Sequence, residues 1–134
     1  MTGMKRILMI VVVLIGCTKR ELPINIADPF VEEVVREKLK KSKCELTKSD
    51  LEKVTRLSLY GTQITDAGLT ELAKLQQLKI LFLRYTQITD EGIKEVIKLQ
   101  QLEVLSLSET KITDKSLKEI AKLEQLEWLH LADT

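Results

Sequence analysis

Leu57-Ser58-Leu59-Tyr60-Gly61-Thr62-Gln63-Ile64-Thr65-Asp66, Leu81-Phe82-Leu83-Arg84-Tyr85-Thr86-Gln87-Ile88-Thr89-Asp90 and Leu105-Ser106-Leu107-Ser108-Glu109-Thr110-Lys111-Ile112-Thr113-Asp114 are one phrase written three times. Leu129-His130-Leu131-Ala132-Asp133-Thr134 begins a fourth copy. Ile64, Ile88 and Ile112 are spaced by 24 residues, as are Thr62, Thr86, Thr110 and Thr134. A fixed period of this size is the sequence signature of a stacked repeat architecture.

Each unit has two phases. Leu78-x-x-Leu81-x-Leu83 alternates apolar and variable positions, which predicts a short strand with one buried face. Thr89-Asp90 then offers helix-starting chemistry, and Ile93, Val96 and Ile97 follow at helical spacing. Leu69, Leu72 and Ala73 repeat that pattern upstream, and Leu117, Ile120 and Ala121 downstream. Lys74, Lys98 and Lys122 fall at the helix ends, where a cation suits the negative pole of the helix dipole. One strand and one helix cannot bury their apolar sides alone, so neighbouring units must stack.

The pattern L-x-x-L-x-L-x-x-N/C-x-L, carried from Leu78 to Ile88 and from Leu102 to Ile112, resembles the leucine-rich repeat family. The first unit departs from it with Val54 in the leading position, and every unit has Thr where the family has Asn or Cys. A Thr hydroxyl both donates and accepts, so a ladder of Thr can partly replace the family's turn-bonding side chain. The phrase I-T-D-x-G-L resembles repeats of bacterial chains and of ubiquitin-ligase substrate receptors, with Ser116 replacing the Gly in the third unit. The resemblance implies an α/β solenoid: a parallel β-sheet on the concave face, short helices on the convex face. A substrate receptor would also need an F-box helix bundle, which the sequence does not show.

Ahead of the repeats, Asp28-Pro29-Phe30 starts a helix with an N-cap acid and a proline in the first turn. Phe30, Val31, Val34, Val35 and Leu39 form its apolar face, and Thr47-x-x-Asp50 opens a second short helix at Leu51. This order resembles the N-terminal cap of internalin-like bacterial proteins. Solenoids need such a cap because an end unit otherwise exposes its core. The expected organisation is a cap over residues 28–53 and repeats over 54–134, three full and one incomplete.

Residues 1–16 read as an export signal: Lys5 and Arg6, then the apolar run from Ile7 to Ile15. That run is too short for a permanent span, which takes roughly 20 residues. Leu14-Ile15-Gly16-Cys17 resembles the lipobox of bacterial lipoproteins, in which the Cys becomes the lipidated N-terminus. The resemblance implies a lipid anchor at Cys17, a tether over residues 17–27 and a place in the cell envelope, at the outer membrane in a Gram-negative source. Two acyl chains give stable anchoring where one does not. Losing Lys5 and Arg6 leaves 19 basic residues against 20 acidic ones, so the +1 of the whole chain becomes −1.

The same composition excludes several function classes. With 44% hydrophobic residues the chain is not disordered, and its balanced charge does not fit a nucleic-acid binder. Two Cys and one His make neither a disulfide framework nor a zinc finger. No phosphate-binding glycine loop is present, and no cofactor is expected. Catalysis finds little support, because His130 lies in the last strand and Cys44 in the cap. Cys44 reads as a buried cap residue or a thiol open to intermolecular disulfide formation. Asp66, Asp90 and Asp114 read as helix caps rather than metal ligands.

Alternation along the strands places Arg56, Ile80, Val104 and Trp128 in one concave column. Ser58, Phe82, Ser106 and His130 form the next, and Tyr60, Arg84, Ser108 and Ala132 the third, with Tyr85 at the rim. Four of the five aromatic residues therefore fall on or beside one face. Tyr, Trp and Arg are enriched at binding hot spots. Tyr60, Phe82, Arg84, Tyr85, Trp128 and His130 are thus the candidate contacts for a protein or peptide partner; the competing reading is a plain sheet surface on a structural or truncated repeat fragment. Four short strands offer only roughly 400 Å², against about 800 Å² per partner in a standard interface. The last strand, with Trp128, Leu129 and Leu131, presents an open edge suited to self-association.

Overall fold

The computed structural model describes residues 21–134. The export signal, the lipobox and Cys17 lie outside the described residues. Within them, four strands, β3 (Arg56–Ser58), β4 (Ile80–Phe82), β5 (Val104–Ser106) and β6 (Trp128–His130), form one parallel sheet in chain order. The register advances by one repeat at each step: Leu57 sits opposite Leu81, Leu81 opposite Leu105, and Leu105 opposite Leu129. Three helices, α3 (Asp66–Leu72), α4 (Asp90–Val96) and α5 (Asp114–Ile120), alternate with the strands. The expected α/β solenoid is the fold.

Constant register makes the core a set of columns. Leu57, Leu81 and Leu105 are buried, as are Leu59, Leu83 and Leu107. Ile64, Ile88 and Ile112 stack behind them, and Leu69, Leu72, Ile93, Val96 and Ile120 close the layer from the helices. Alternate strand residues share a face, so the residues between these leucines form the opposite surface. Pairing continues past the strands: Leu59 N–H donates to the Phe82 carbonyl at 2.8 Å and Gly61 N–H to that of Arg84 at 2.9 Å. The column through Tyr60 and Arg84 is therefore held as firmly as the strands.

The Thr of each turn works within its own unit. Thr62 Oγ1 donates to the Leu59 carbonyl (2.9 Å), Thr86 to Leu83 (2.6 Å) and Thr110 to Leu107 (2.6 Å). A short hydroxyl thus satisfies one turn carbonyl per unit without bridging to the next. Bridging is left to the aspartates. Thr89, the N-cap of α4, donates its N–H (2.8 Å) and its hydroxyl (2.6 Å) to the Asp66 carboxylate one unit back. Thr113, the N-cap of α5, does the same toward Asp90, at 2.7 and 2.6 Å. The caps are therefore the threonines; Asp66 and Asp90 occupy the first helical position and fasten one unit to the next, which corrects their reading as caps.

The glycine of I-T-D-x-G-L makes room for that fastening. A Cβ on Gly92 would lie 2.4 Å from Asp66 Oδ1 and 2.7 Å from Leu69 Cδ1, and one on Gly68 would lie 2.5 Å from Asp28 Oδ2. In the third unit Ser116 replaces the glycine, is buried, and donates to Asp90 Oδ1 at 2.5 Å. The Ser116 and Thr113 hydrogen bonds hold the Asp90 carboxyl below its ordinary value.

The cap is α1 (Pro29–Leu39), a two-stranded antiparallel sheet of β1 (Pro23–Ile24) with β2 (Leu46–Thr47), and the short α2 (Lys48–Leu51). Asp28 caps α1 by accepting from Phe30 and Val31 N–H, both at 3.0 Å. Val31 and Val35 are fully buried, and the helix packs against α3 and β3. Asp50 is buried and accepts Thr47 N–H (3.1 Å), Thr47 Oγ1 (2.8 Å) and Lys41 Nζ (2.7 Å). Burial raises its pKa, but the Lys41 and Thr47 hydrogen bonds outweigh burial and hold it at about 2.

Two expectations change here. Residues 23–27, read as the end of a tether, are part of the cap: β1 pairs with β2, Ile26 is buried, and Glu71 accepts Ala27 N–H at 2.8 Å. The hydrophobic character of Pro23-Ile24-Asn25-Ile26 carried that signal, but a period-two run of four is too short to separate from a linker. Cys44, expected as a buried residue or an open thiol, is half-buried and disulfide-bonded.

Candidate interaction surface

The exposed side of the sheet gathers rings and cations at its N-terminal half. Phe82 stands on β4, diagonal to Arg56 on β3, and the Arg56 guanidinium lies 5.5 Å from the Phe82 ring centroid. One column away, the Arg84 guanidinium lies 4.8 Å from the Tyr85 ring, and Nη2 donates to the Tyr85 hydroxyl at 3.3 Å. Tyr60 meets Tyr85 edge to face, with centroids 5.5 Å apart and planes at 83°. Such contacts stabilise by about 0.5–1.5 kcal/mol each. More usefully, a ring beneath a guanidinium fixes its plane and leaves its edge N–H groups for a planar acceptor.

Tyr85 carries a backbone cost. The turn after each strand places one residue in the left-handed region: Gly61 (φ 66°), Tyr85 (φ 57°), Glu109 (φ 56°) and Asp133 (φ 55°). Glycine adopts this freely, and Asp tolerates it through its short side chain; a bulky aromatic is strained there, by about 1–2 kcal/mol. The strain turns the Tyr85 ring toward both Tyr60 and Arg84. Strained residues cluster at working surfaces.

The sequence-derived contacts divide into two groups. In the first, Tyr60, Arg84 and Tyr85 form one contact cluster, and Phe82 with Arg56 a second one on the same face. Trp128 and His130 are exposed on β6, separated from β4 by the whole of β5. Between the groups, Ser106 and Ser108 are buried, with Ser108 Oγ accepting Ala132 N–H at 3.1 Å. They are not contact positions. The sequence puts Arg56 in a concave column but outside the candidate contacts; the diagonal pairing of neighbouring strands, Arg56 to Phe82, is the signal for it.

Beside this patch, α1 and β3 enclose a groove of about 460 Å³. Val34 supplies its apolar part, Lys38, Lys40 and Arg56 its cations, and Glu37 its one acid, with the strand at Leu57 and Ser58 as its floor. Lys40 sits at the left-handed C-cap of α1 (φ 53°), its N–H bonded to the Arg36 and Glu37 carbonyls. Among the described residues, no group of three or more His, Cys, Asp or Glu is placed to hold a metal, and no helix is long and apolar enough to cross a membrane.

A family profile described as Leucine Rich repeat matches residues 50–73, 74–96 and 98–121. No curated protein matches the chain significantly. Among solved structures, an internalin (inlF) of Listeria monocytogenes superposes with a TM-score of 0.59 at 24% identity, over 83% of this chain and 39% of its own. An internalin C2 (inlC2) of the same organism gives 0.57 at 25% identity, over 83% of this chain and 60% of its own. The CBM51-2 and INT domains of ZmpB from Clostridium perfringens give 0.55 at 25% identity, over 72% of this chain and 20% of theirs. The chain thus spans less than two thirds of the length of each of these structures.

Proposed function

Because this chain belongs to the leucine-rich repeat family and shares an internalin-like fold, we propose that it is an envelope-anchored interaction module that binds a protein or peptide on its concave face. The observation that carries the reading is the cluster of Tyr60, Arg84 and Tyr85 beside the Arg56–Phe82 pair, with Tyr85 held in a strained backbone conformation. Nothing in the fold requires those side chains: the equivalent positions of the third unit hold Ser106, Ser108 and Glu109. Replacing Tyr60 and Tyr85 by Ala, with Lys94→Ala on α4 as the control, tests the assignment in a cross-linking capture from envelope extract. The aromatic variants lose the captured partner and the control keeps it. Identical capture by all three overturns the concave face as the site.

Anchoring at Cys17 rests on the lipobox-like Leu14-Ile15-Gly16-Cys17. Only six residue steps separate Cys17 from Pro23, where the cap begins, a reach of about 20 Å when extended. The folded body would then ride close to the membrane, with a partner drawn from the envelope. One sulfur cannot carry both an acyl-bearing thioether and a disulfide. Intact mass of the membrane-extracted protein discriminates: a diacylglyceryl adduct at Cys17 supports the anchor, and a Cys17–Cys44 cystine excludes it.

A further inference from the structure

We infer that the concave patch and the adjoining groove recognise an acidic, extended peptide whose carboxylates are spaced about four residues apart, a partner class that rests on the concave-face reading above. The charges of the molecule divide by face. On the convex side four lysines are neutralised locally: Lys74 by Glu71, Lys94 by Glu91, Lys98 by Glu95 and Lys122 by Glu119, at 2.6–2.7 Å, while Lys115 and Lys118 on α5 form no such pair among the described residues. On the concave side, Arg56 and Arg84 have no carboxylate within ion-pair distance among the described residues, and neither do Lys38 and Lys40 at the groove. The two guanidiniums rest on rings; Arg84 gives one N–H to the Tyr85 hydroxyl and keeps its charge and its other donors available, as Arg56 does.

Four acids flank the other end of the sheet, one of them, Glu103, paired with Lys79 at 2.7 Å. Glu103 and Glu127 precede β5 and β6, and Glu109 and Asp133 follow them. Glu109, Glu127 and Asp133, without an ion-paired cation among the described residues, disfavour a negatively charged ligand at β5–β6 relative to β3–β4. Register supplies the spacing: Arg56 pairs with Ile80, and Arg84 lies four residues beyond Ile80. With about 3.3 Å per residue and about 4.8 Å between strands, the two Cα atoms are roughly 14 Å apart. An extended chain covers that distance in about four residues. Val34 in the groove and Phe82 on the sheet then take the apolar side chains between the acids.

A fluorescein-labelled octapeptide with Glu at positions 3 and 7 and Val or Leu between them tests this by anisotropy against the full chain. Gln replaces both acids in a second peptide, and a third has its acids adjacent. The spaced acidic peptide binds, the Gln peptide binds at least tenfold more weakly, and added salt weakens only the acidic one. Arg84→Gln and Arg56→Gln each lower affinity about tenfold, Arg84→Lys recovers only part of the loss, and Lys94→Gln has no effect. Circular dichroism melting checks that each variant folds. Equal binding of the acidic and Gln peptides, with sensitivity to Tyr60→Ala retained, overturns the acidic partner and leaves the concave site standing. Binding of none of the peptides, or binding of anionic vesicles in their place, overturns the inference outright.

Discussion

The two faces of this solenoid obey different rules. The convex side repeats: Asp accepts from the next Thr, glycine or Ser116 fits beneath, and each helix closes its own lysine–glutamate pair. The concave side does not repeat: Arg56, Ile80, Val104 and Trp128 share one column, and Tyr60, Arg84, Ser108 and Ala132 another. Interactions that must recur in every unit hold the stack together. Positions released from that duty are where neighbouring units differ, and there the rings and unpaired cations collect. Substitutions on the two faces should therefore separate stability from binding.

The largest loss is expected where the fastening is tightest. Gly92→Val drives a branched side chain into Asp66 and Leu69 and costs about 3 kcal/mol, read from urea midpoints at unchanged slope. Asp50→Ala in the cap follows, at about 2 kcal/mol, because Lys41 and Thr47 lose their acceptor. The pH dependence has a definite sign. The folded Asp50 pKa lies below its unfolded value, so its contribution is complete above about pH 4 and is lost as pH falls toward about 2. An acid titration of wild type shows that loss, and Asp50→Ala lacks it.

Asp66→Ala removes two inter-unit hydrogen bonds at a more open site and costs about 1–2 kcal/mol. Faster hydrogen exchange at the Thr89 amide would locate the damage. Smallest in stability is Tyr85→Gly: release of backbone strain offsets the lost ring contacts, leaving a change within about 0.5 kcal/mol. Partner or peptide binding nevertheless falls at least tenfold. A large stability loss at Tyr85 together with intact binding would reverse the assignment of the two faces.

The repeat made most of the architecture legible. Strand, turn and helix positions recur every 24 residues, so one reading of Leu81 to Val96 locates the others. What escaped lay where periodicity gives no help. The groove arises from how the non-repeating α1 sits against the first unit, and no sequence interval relates Lys38 or Lys40 to Arg56. Pro23 to Ala27 looked like linker because its burial depends on β2 and on Glu71, 44 residues beyond Ala27. The aspartates were misread for a different reason. A Thr-Asp pair at a helix start offers two possible caps, and only the position of the preceding unit shows which oxygen faces inward and which faces back along the stack.

That last arrangement bears on how such a chain grows. The middle unit carries a hydroxyl and an amide, on Thr89, that dock into its predecessor, and a carboxylate, on Asp90, that receives its successor. Plug and socket travel on the same piece of DNA. An in-frame duplication therefore inserts a unit already matched to both neighbours, and the only residues left for selection to adjust are those looking into the curve.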